Sequence, residues 1–315
     1  MVPSHDRPLR LRWLLNALAE QTLERERFEV VVCHDSSGPE TEALLRAHPL
    51  SRDGVLRHRS LPAGTAPPGR NRNVAWREAT APLVAFTDDD CRPPADWLER
   101  CLEAARRHPG AIVQGATRPD PEEWHIYHHA PLTRTQSIRP PRPWAQACNI
   151  VYPRAVLEAH GGFPEDMYVG EDTALAETAR AAGVAYEGAP EVVTYHAVDE
   201  TSVLGMVRGA WRWRGLPLLL RRHPRLRGEF PLGLFWTREH VWLPLAVAAW
   251  FLERRSRAWA LLAVPYLVHA TPRGHGQQPR GRLRALSELP ARFAIHAAEM
   301  ASLAWGSVRH RTPFL

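Results

Sequence analysis

The stretch LVAFTDDDCRPPADWLERCLEAARR (residues 83–107) places three aspartates directly after an apolar run, and then a helical pattern. Adjacent carboxylates repel, and crowding raises the pKa of at least one of them. A chain tolerates such a cluster at the exit of a buried strand chiefly when a cation binds there. The ordinary alternative is a solvated turn in which aspartate caps the helix over 95–107.

Working outward, the strand LVAFT has counterparts. FEVVVC (28–33) is a continuous apolar run rich in β-branched residues and reads as a buried strand; VLRHRS (55–60) reads as another. Helices are expected between them. Leu11, Leu14, Leu15 and Leu18 mark an amphipathic helix over 9–23, 36–47 follows a turn, and 69–80 follows a Pro-Pro-Gly loop. Strands alternating with helices at this spacing imply βαβ units and a parallel sheet, whose ligands bind at the carboxyl ends of the strands. Asp35 and the aspartates at 88–90 fall at two such ends.

Further on, 110–145 reads as a strand and then a long irregular loop, of the kind that gates a substrate or meets an acceptor. Residues 148–163 read as a strand and short helix, 170–183 as a capped helix, and 184–197 as two short strands. No internal repeat is evident.

The 315 residues suffice for one large domain or a domain with an appendage. All 40 basic residues are arginine, and the net charge is +6. The missing lysine reads as genomic composition; the positive balance favours anionic partners without choosing among them. Cys33, Cys91, Cys101 and Cys148 have no CxxC spacing, so reduced thiols of a cytosolic protein are expected rather than a zinc site or a disulfide framework. The opening MVPSHDRPLR has no apolar core of a signal peptide.

After residue 200 the composition shifts. Tryptophan and arginine interleave in WRWRGLPLLLRRHP (211–224), and two apolar stretches, 241–252 and 258–270, flank ERRSR. Both are shorter than the roughly 20 residues of a spanning helix. Extending the first back to Phe230 reaches that length but takes in Arg238, Glu239 and His240. The flanking arginines and tryptophans lead us to expect a hairpin in contact with a membrane surface, against the alternative of a buried helix pair.

Several of these stretches together resemble the family 2 glycosyltransferases. VPSHDRPLRLRWLLNALAEQ resembles the family's opening turn and first helix, and FEVVVCHDSSG its strand ending in an aspartate pair. GRNRNVAWREATAPLVAFTDDD resembles the Ala-Arg-Asn-x-Gly helix running into the metal-binding DxD. CNIVYPRAVLEAHGGF and GEDTALAETARAAG resemble the acceptor-side segment with its Glu-Asp pair. The resemblance covers residues 1 to about 198.

It implies a GT-A fold, an α/β, mostly parallel sheet flanked by helices over 1–198; the tail over 199–315 reads from its own composition as a helical, membrane-associated appendage. The resemblance implies a metal-dependent inverting transfer of sugar from a nucleoside diphosphate sugar to a hydroxyl of a glycan or lipid-linked acceptor in cell-envelope synthesis. The enzyme would work in the cytoplasm, peripheral or monotopic at the inner face of the membrane, without nucleic acid. By the same resemblance, Asp35, Arg70, Asn71, Asp88, Asp89 and Glu171 face the nucleotide sugar. Asp90, Asp88 and His196 hold Mg²⁺ or Mn²⁺, and Asp172 is the general base. The sequence departs from the family pattern at three places. The sequence opens at MVPS where the family has a complete first strand, so that either the start is placed too late or the sheet lacks most of that strand; His34 replaces the first aspartate of the pair, and Asn73 replaces a glycine. A curtailed first strand would weaken the nucleotide pocket.

The residues admit two other readings. Nucleotidyl transfer usually needs a glycine-rich phosphate loop bearing lysine, and there is no lysine. A non-catalytic arginine-rich module could use 205–227 to bind nucleic acid or anionic membrane, but it leaves the ordered aspartates unexplained.

Overall fold

The computed structural model describes residues 1–64, 66–130, 132–271 and 279–315, with side chains left undescribed at 279–282. Pro131 of the expected loop and residues 272–278 of the C-terminal region lie outside the described residues. The chain divides into two compact units, Met1–Asp199 and Glu200–Leu315.

In the first unit, strands β1 (Val2–Ser4), β2 (Val30–His34) and β3 (Leu56–Ser60) pair in parallel. Five further strands form a second set: β4 (Leu83–Thr87), β5 (Cys91–Arg92), β6 (Ile112–Pro119), β7 (Asn149–Pro153) and β8 (Tyr186–His196). They run in the order β4-β7-β6-β8-β5. Met1 joins the two sets: its nitrogen donates to the Ala85 carbonyl at 2.8 Å and its carbonyl accepts from Thr87 N at 3.2 Å. That is the bonding of a parallel bridge, so β1 lies between β2 and β4 although it has only three residues. Beyond Met1 the gap between β2 and β4 continues as an apolar cavity of about 280 Å³ walled by Val30, Leu83, Val84 and Trp97.

The sheet is parallel on the β1–β3 side and mixed on the other. β4, β6 and β5 each meet a neighbour antiparallel, while β6 and β8 run parallel. The two short strands expected over 184–197 are one strand, β8. Its register against β6 slips between Gly115 and Ala116, so that Pro190 and Glu191 stand out exposed while pairing resumes at Val193. A proline has no N–H for the ladder and is accommodated at such an irregularity. The expected irregular loop contains a short helix, Trp124–His129.

Helix α1 (Pro8–Ala19) buries Leu11, Leu14, Leu15 and Leu18, the stripe its spacing predicts. These pack with Val30, Val32, Leu45 and Trp97 on one face of the sheet. On the other face Trp76, Phe86, Ile150, Tyr152, Phe163 and Leu175 form a second core. Helices α2 (Glu40–Ala47), α3 (Pro68–Glu78), α4 (Trp97–Arg107) and α5 (Glu171–Ala181) complete the parts that frame the strand ends. All four cysteines are buried free thiols.

The second unit is helical. Its longest helix, Leu289–His310, receives the WRWR stretch: Ser302 Oγ donates to the Trp211 carbonyl, and Trp211 packs on Trp305 with ring centres 5.3 Å apart. Trp213 packs on Trp236 at 4.3 Å. Trp211 and Trp213 of that stretch thus pack on other tryptophans of the unit. No helix among the described residues is long and apolar enough to cross a membrane.

Candidate active site

The site starts where β4 ends. Cys91 N donates to the Asp88 carbonyl and Ala197 N to the Asp90 carbonyl, so the three aspartates form a tight turn stitched to the end of β8. A turn this tight sends successive side chains in different directions, and each carboxylate finds different partners. Asp88 accepts from Arg72 Nη2 at 2.8 Å. Asp89 is buried and accepts from Ser4 Oγ at 2.8 Å and His5 N at 3.2 Å. Burial, and then the neighbouring Asp90, pushes its carboxyl up to about 7. Asp90 pairs through Oδ2 with Arg7. Its Oδ1 is buried, has no hydrogen-bond partner and lies 3.4 Å from His196 Nε2.

Asp35, at the end of β2, is 2% exposed. Its Oδ1 accepts from Asn71 Nδ2 and lies at the same 3.1 Å from His5 Nδ1. Oδ2 accepts from Ala66 N at 3.3 Å. Asp35, Asn71, Ser4, His5, Arg7 and the three aspartates wall one cleft of about 370 Å³, of the size that takes a small ligand. Arg70 is exposed and is not part of that wall.

One further carboxylate, Glu171, is tied to Asp88 of this cleft through a single side chain. Arg72 is 6% exposed; its Nη1 donates to Glu171 Oε1 at 2.6 Å while Nη2 holds Asp88. Its planar fork therefore spans from the end of β4 to the first turn of α5. Asp172, next along α5, accepts from Thr173 N at 2.7 Å and Ala147 N at 3.3 Å. Burial and the adjacent Glu171 push its carboxyl up to about 7, against the opposing pull of Arg72 and of these backbone donors.

Sequence reasoning missed Arg7 and Arg72. The signal for Arg72 lies in the helical period: Gly69, Arg72, Asn73 and Trp76 fall at i, i+3, i+4 and i+7, and all are buried. An arginine on the inward face of a helix needs buried carboxylates to meet it. The two departures from the family pattern have local explanations. His34 turns away to Glu42, with Nε2 at 3.0 Å from Oε2. Asn73 holds the loop after β7 by accepting from Phe163 N and donating to its carbonyl. A Cβ at Gly162, whose φ is +80°, would come within 2.3 Å of Asn73 Oδ1, so the two residues fit only as a pair.

Whether the residues suit a divalent cation can be judged at Asp90 and His196. His196 Nδ1 lies 2.9 Å from the Ala197 carbonyl and can only donate to it, so the neutral ring presents Nε2 as a lone pair. Two lone pairs then face each other across 3.4 Å. A second proton on the ring or a cation resolves that contact. Among the described residues no three ligating side chains converge into a ready-made cage. Mg²⁺ and Mn²⁺ commonly take one or two protein ligands and complete their shell with phosphate and water, and this donor set fits that mode.

The family model of glycosyl transferase family 2 matches residues 1–163. The sequence is 24% identical over 205 residues to glycosyltransferase AglE of Haloferax volcanii, an alignment covering 62% of this chain and 65% of AglE. The chain thus spans less than two thirds of that curated relative. Its structure is similar to mannosyltransferase PcManGT from Pyrobaculum calidifontis, solved with GDP-Man and Mn²⁺, with a TM-score of 0.58 and 21% identity over 98% of this chain and 85% of that one. It is also similar to residues 1–349 of TarS from S. aureus, solved with UDP-GlcNAc, with a TM-score of 0.53 and 16% identity over 99% and 91%.

Proposed function

This chain belongs to glycosyl transferase family 2, and we propose that it moves a sugar from a nucleoside diphosphate sugar to an acceptor hydroxyl, with inversion and with a divalent cation. The observation that carries this reading is the single cleft that brings Asp35 and Asn71 together with Asp88, Asp89 and Asp90 at the strand ends. The nucleotide sugars held by PcManGT and TarS support the same donor class here.

In this reading Asp35 and Asn71, already bonded to each other, receive the base and ribose. Asp90 and His196, with Asp88 beside them, would hold Mg²⁺ or Mn²⁺. When bound, the ion neutralises charge on the departing diphosphate. Arg7, at the start of α1, supplies a second positive group on the cleft wall. Asp172 takes the proton from the acceptor hydroxyl as that oxygen attacks the anomeric carbon opposite the leaving group. Its elevated pKa suits a base working near neutral pH. Arg72 ties Glu171, the neighbour of Asp172 on α5, to Asp88 at the strand end. The acceptor is a glycan or a lipid-linked hydroxyl of cell-envelope synthesis, met at the inner face of a membrane.

A thermal-shift panel of UDP, GDP and dTDP, each with and without Mn²⁺ or Mg²⁺, tests the donor half. One nucleotide should stabilise the protein only with metal present, by about 2.7 kcal/mol at a hundredfold excess over Kd. The Asp90→Asn variant should lose that shift. No stabilisation by any nucleotide, or an unchanged shift in the variant, overturns the assignment.

A further inference from the structure

Helix α6 (Arg238–Leu252) has no charged residue between His240 and Glu253. A helix apolar on every side is ordinarily covered on every side, and this one is not. Leu243 turns inward to pack with Tyr266 and Ala270 of the returning arm, Arg257–Ala270. Val247, Trp250 and Phe251 turn outward and are 38%, 67% and 68% exposed. The returning arm repeats the arrangement: Leu261, Val264 and Val268 are 70%, 47% and 55% exposed. Scattered exposed apolar side chains need no explanation, whereas an exposed apolar face on each of two packed arms marks an interaction surface.

The chemistry of its surroundings identifies the partner. The arms are joined by Glu253-Arg254-Arg255-Ser256-Arg257, exposed throughout, with three guanidinium groups against one carboxylate. Trp250 and Trp259, both exposed, flank that turn in sequence within four residues of an arginine. Indole rings favour the boundary between hydrocarbon and headgroup, and arginine favours phosphate. Apolar, aromatic and cationic groups therefore follow one another in the order a bilayer surface presents their complements.

We propose that the hairpin 238–270 is an interfacial anchor, laying its apolar side into the outer acyl region of an anionic bilayer with its arginine turn on the lipid phosphates. No helix among the described residues can cross a membrane, so the hairpin lies along the surface and does not span. This inference rests on the membrane part of the function proposed above and is independent of the transfer chemistry.

The test is co-sedimentation of the full chain with two vesicle preparations, phosphatidylcholine alone and phosphatidylcholine mixed with phosphatidylglycerol. The protein should partition onto the mixed vesicles more strongly than onto phosphatidylcholine, and raised salt should narrow the difference. Trp250→Glu with Phe251→Glu should lower partitioning by about tenfold or more. Arg254→Glu with Arg255→Glu should remove the preference for phosphatidylglycerol and leave the weaker apolar binding. Circular dichroism and nucleoside diphosphate binding should be unchanged in both variants. A wild-type protein that stays in the supernatant overturns the proposal, as does a Trp250/Phe251 variant that sediments like wild type. A soluble dimer dispersed by that variant, without vesicle binding, assigns the surface to a second copy and overturns the lipid reading. Donor binding without vesicle binding removes the anchor alone; vesicle binding without donor binding removes the transferase reading alone.

Discussion

Asp172 sits between opposing influences. Burial and Glu171 favour its protonated form, while Arg72 and the backbone N–H groups of Thr173 and Ala147 favour the carboxylate. The balance near 7 has a consequence for stability. An unfolded aspartate ionises near 3.8, so between about pH 4 and 7 the unfolded chain releases a proton that the folded chain retains. Unfolding becomes easier across that window, and the loss is complete above the folded pKa. Asp172→Asn removes the ionisation and should stabilise the protein above pH 7, by at most about 4 kcal/mol from the linkage between 3.8 and about 7. The two proteins should converge near pH 4. The same substitution should cut transfer by about 10²–10⁴-fold, the range expected for a lost general base, without changing donor affinity. Denaturant melts at pH 4 and pH 8, together with a transfer assay, check both halves. A variant that transfers at wild-type rate moves the base elsewhere.

At the scale of elements, Arg72 is the tie between α3, the end of β4 and the start of α5. Replacing it with methionine leaves the buried Glu171 and the partly exposed Asp88 without their cation, at a cost of about 3 kcal/mol dominated by the buried carboxylate. It also removes the positive charge that lowers the pKa of Asp172, so the pH at half-maximal transfer should rise. Arg72→Lys restores charge without the two-pronged fork and should recover part of both effects. Melting temperature and a pH–rate profile read the two separately. A lower melting temperature with an unmoved profile would reduce Arg72 to a structural strut.

The elements themselves were largely legible in the sequence because their patterns are local. The α1 leucine stripe, the β-branched β2 and the LVAFT strand each state their period within a few residues. The interruption in β8 was harder to read, since Pro190 breaks the pattern of a strand that tertiary pairing then carries through. Arg72 was hidden for a related reason. Its meaning depends on Glu171, 99 residues away, and no local pattern announces that partner. Asp35 and the aspartates at 88–90 could be placed at strand ends from sequence, but the bonds of Asp89 to Ser4 and His5 depend on β1 standing beside β4.

At the scale of the whole molecule, the cysteines offer a probe confined to one unit. All four lie between residues 33 and 148 and are buried, and therefore report on Met1–Asp199 alone. Burial pushes Cys33 up to about 12 and raises Cys101, while the neighbouring Cys148, and then burial, raises Cys91. Thiolate is the reactive species, so labelling in the native state should be negligible and should proceed only through opening. A ligand that binds the folded unit lowers the open population by the factor 1 + [L]/Kd. A nucleoside diphosphate with Mn²⁺ at a hundredfold excess over Kd should therefore slow labelling of all four thiols by about a hundredfold. Uniform slowing means that the unit opens cooperatively and that donor binding stabilises it throughout. Cys33 lies next to Asn71, with Sγ 3.7 Å from Oδ1, and would be the first to depart from uniformity. If it labels quickly while the other three stay protected, the strand end at Asp35 opens by itself, and the short β1 holds the nucleotide side of the cleft less firmly than the rest of the sheet.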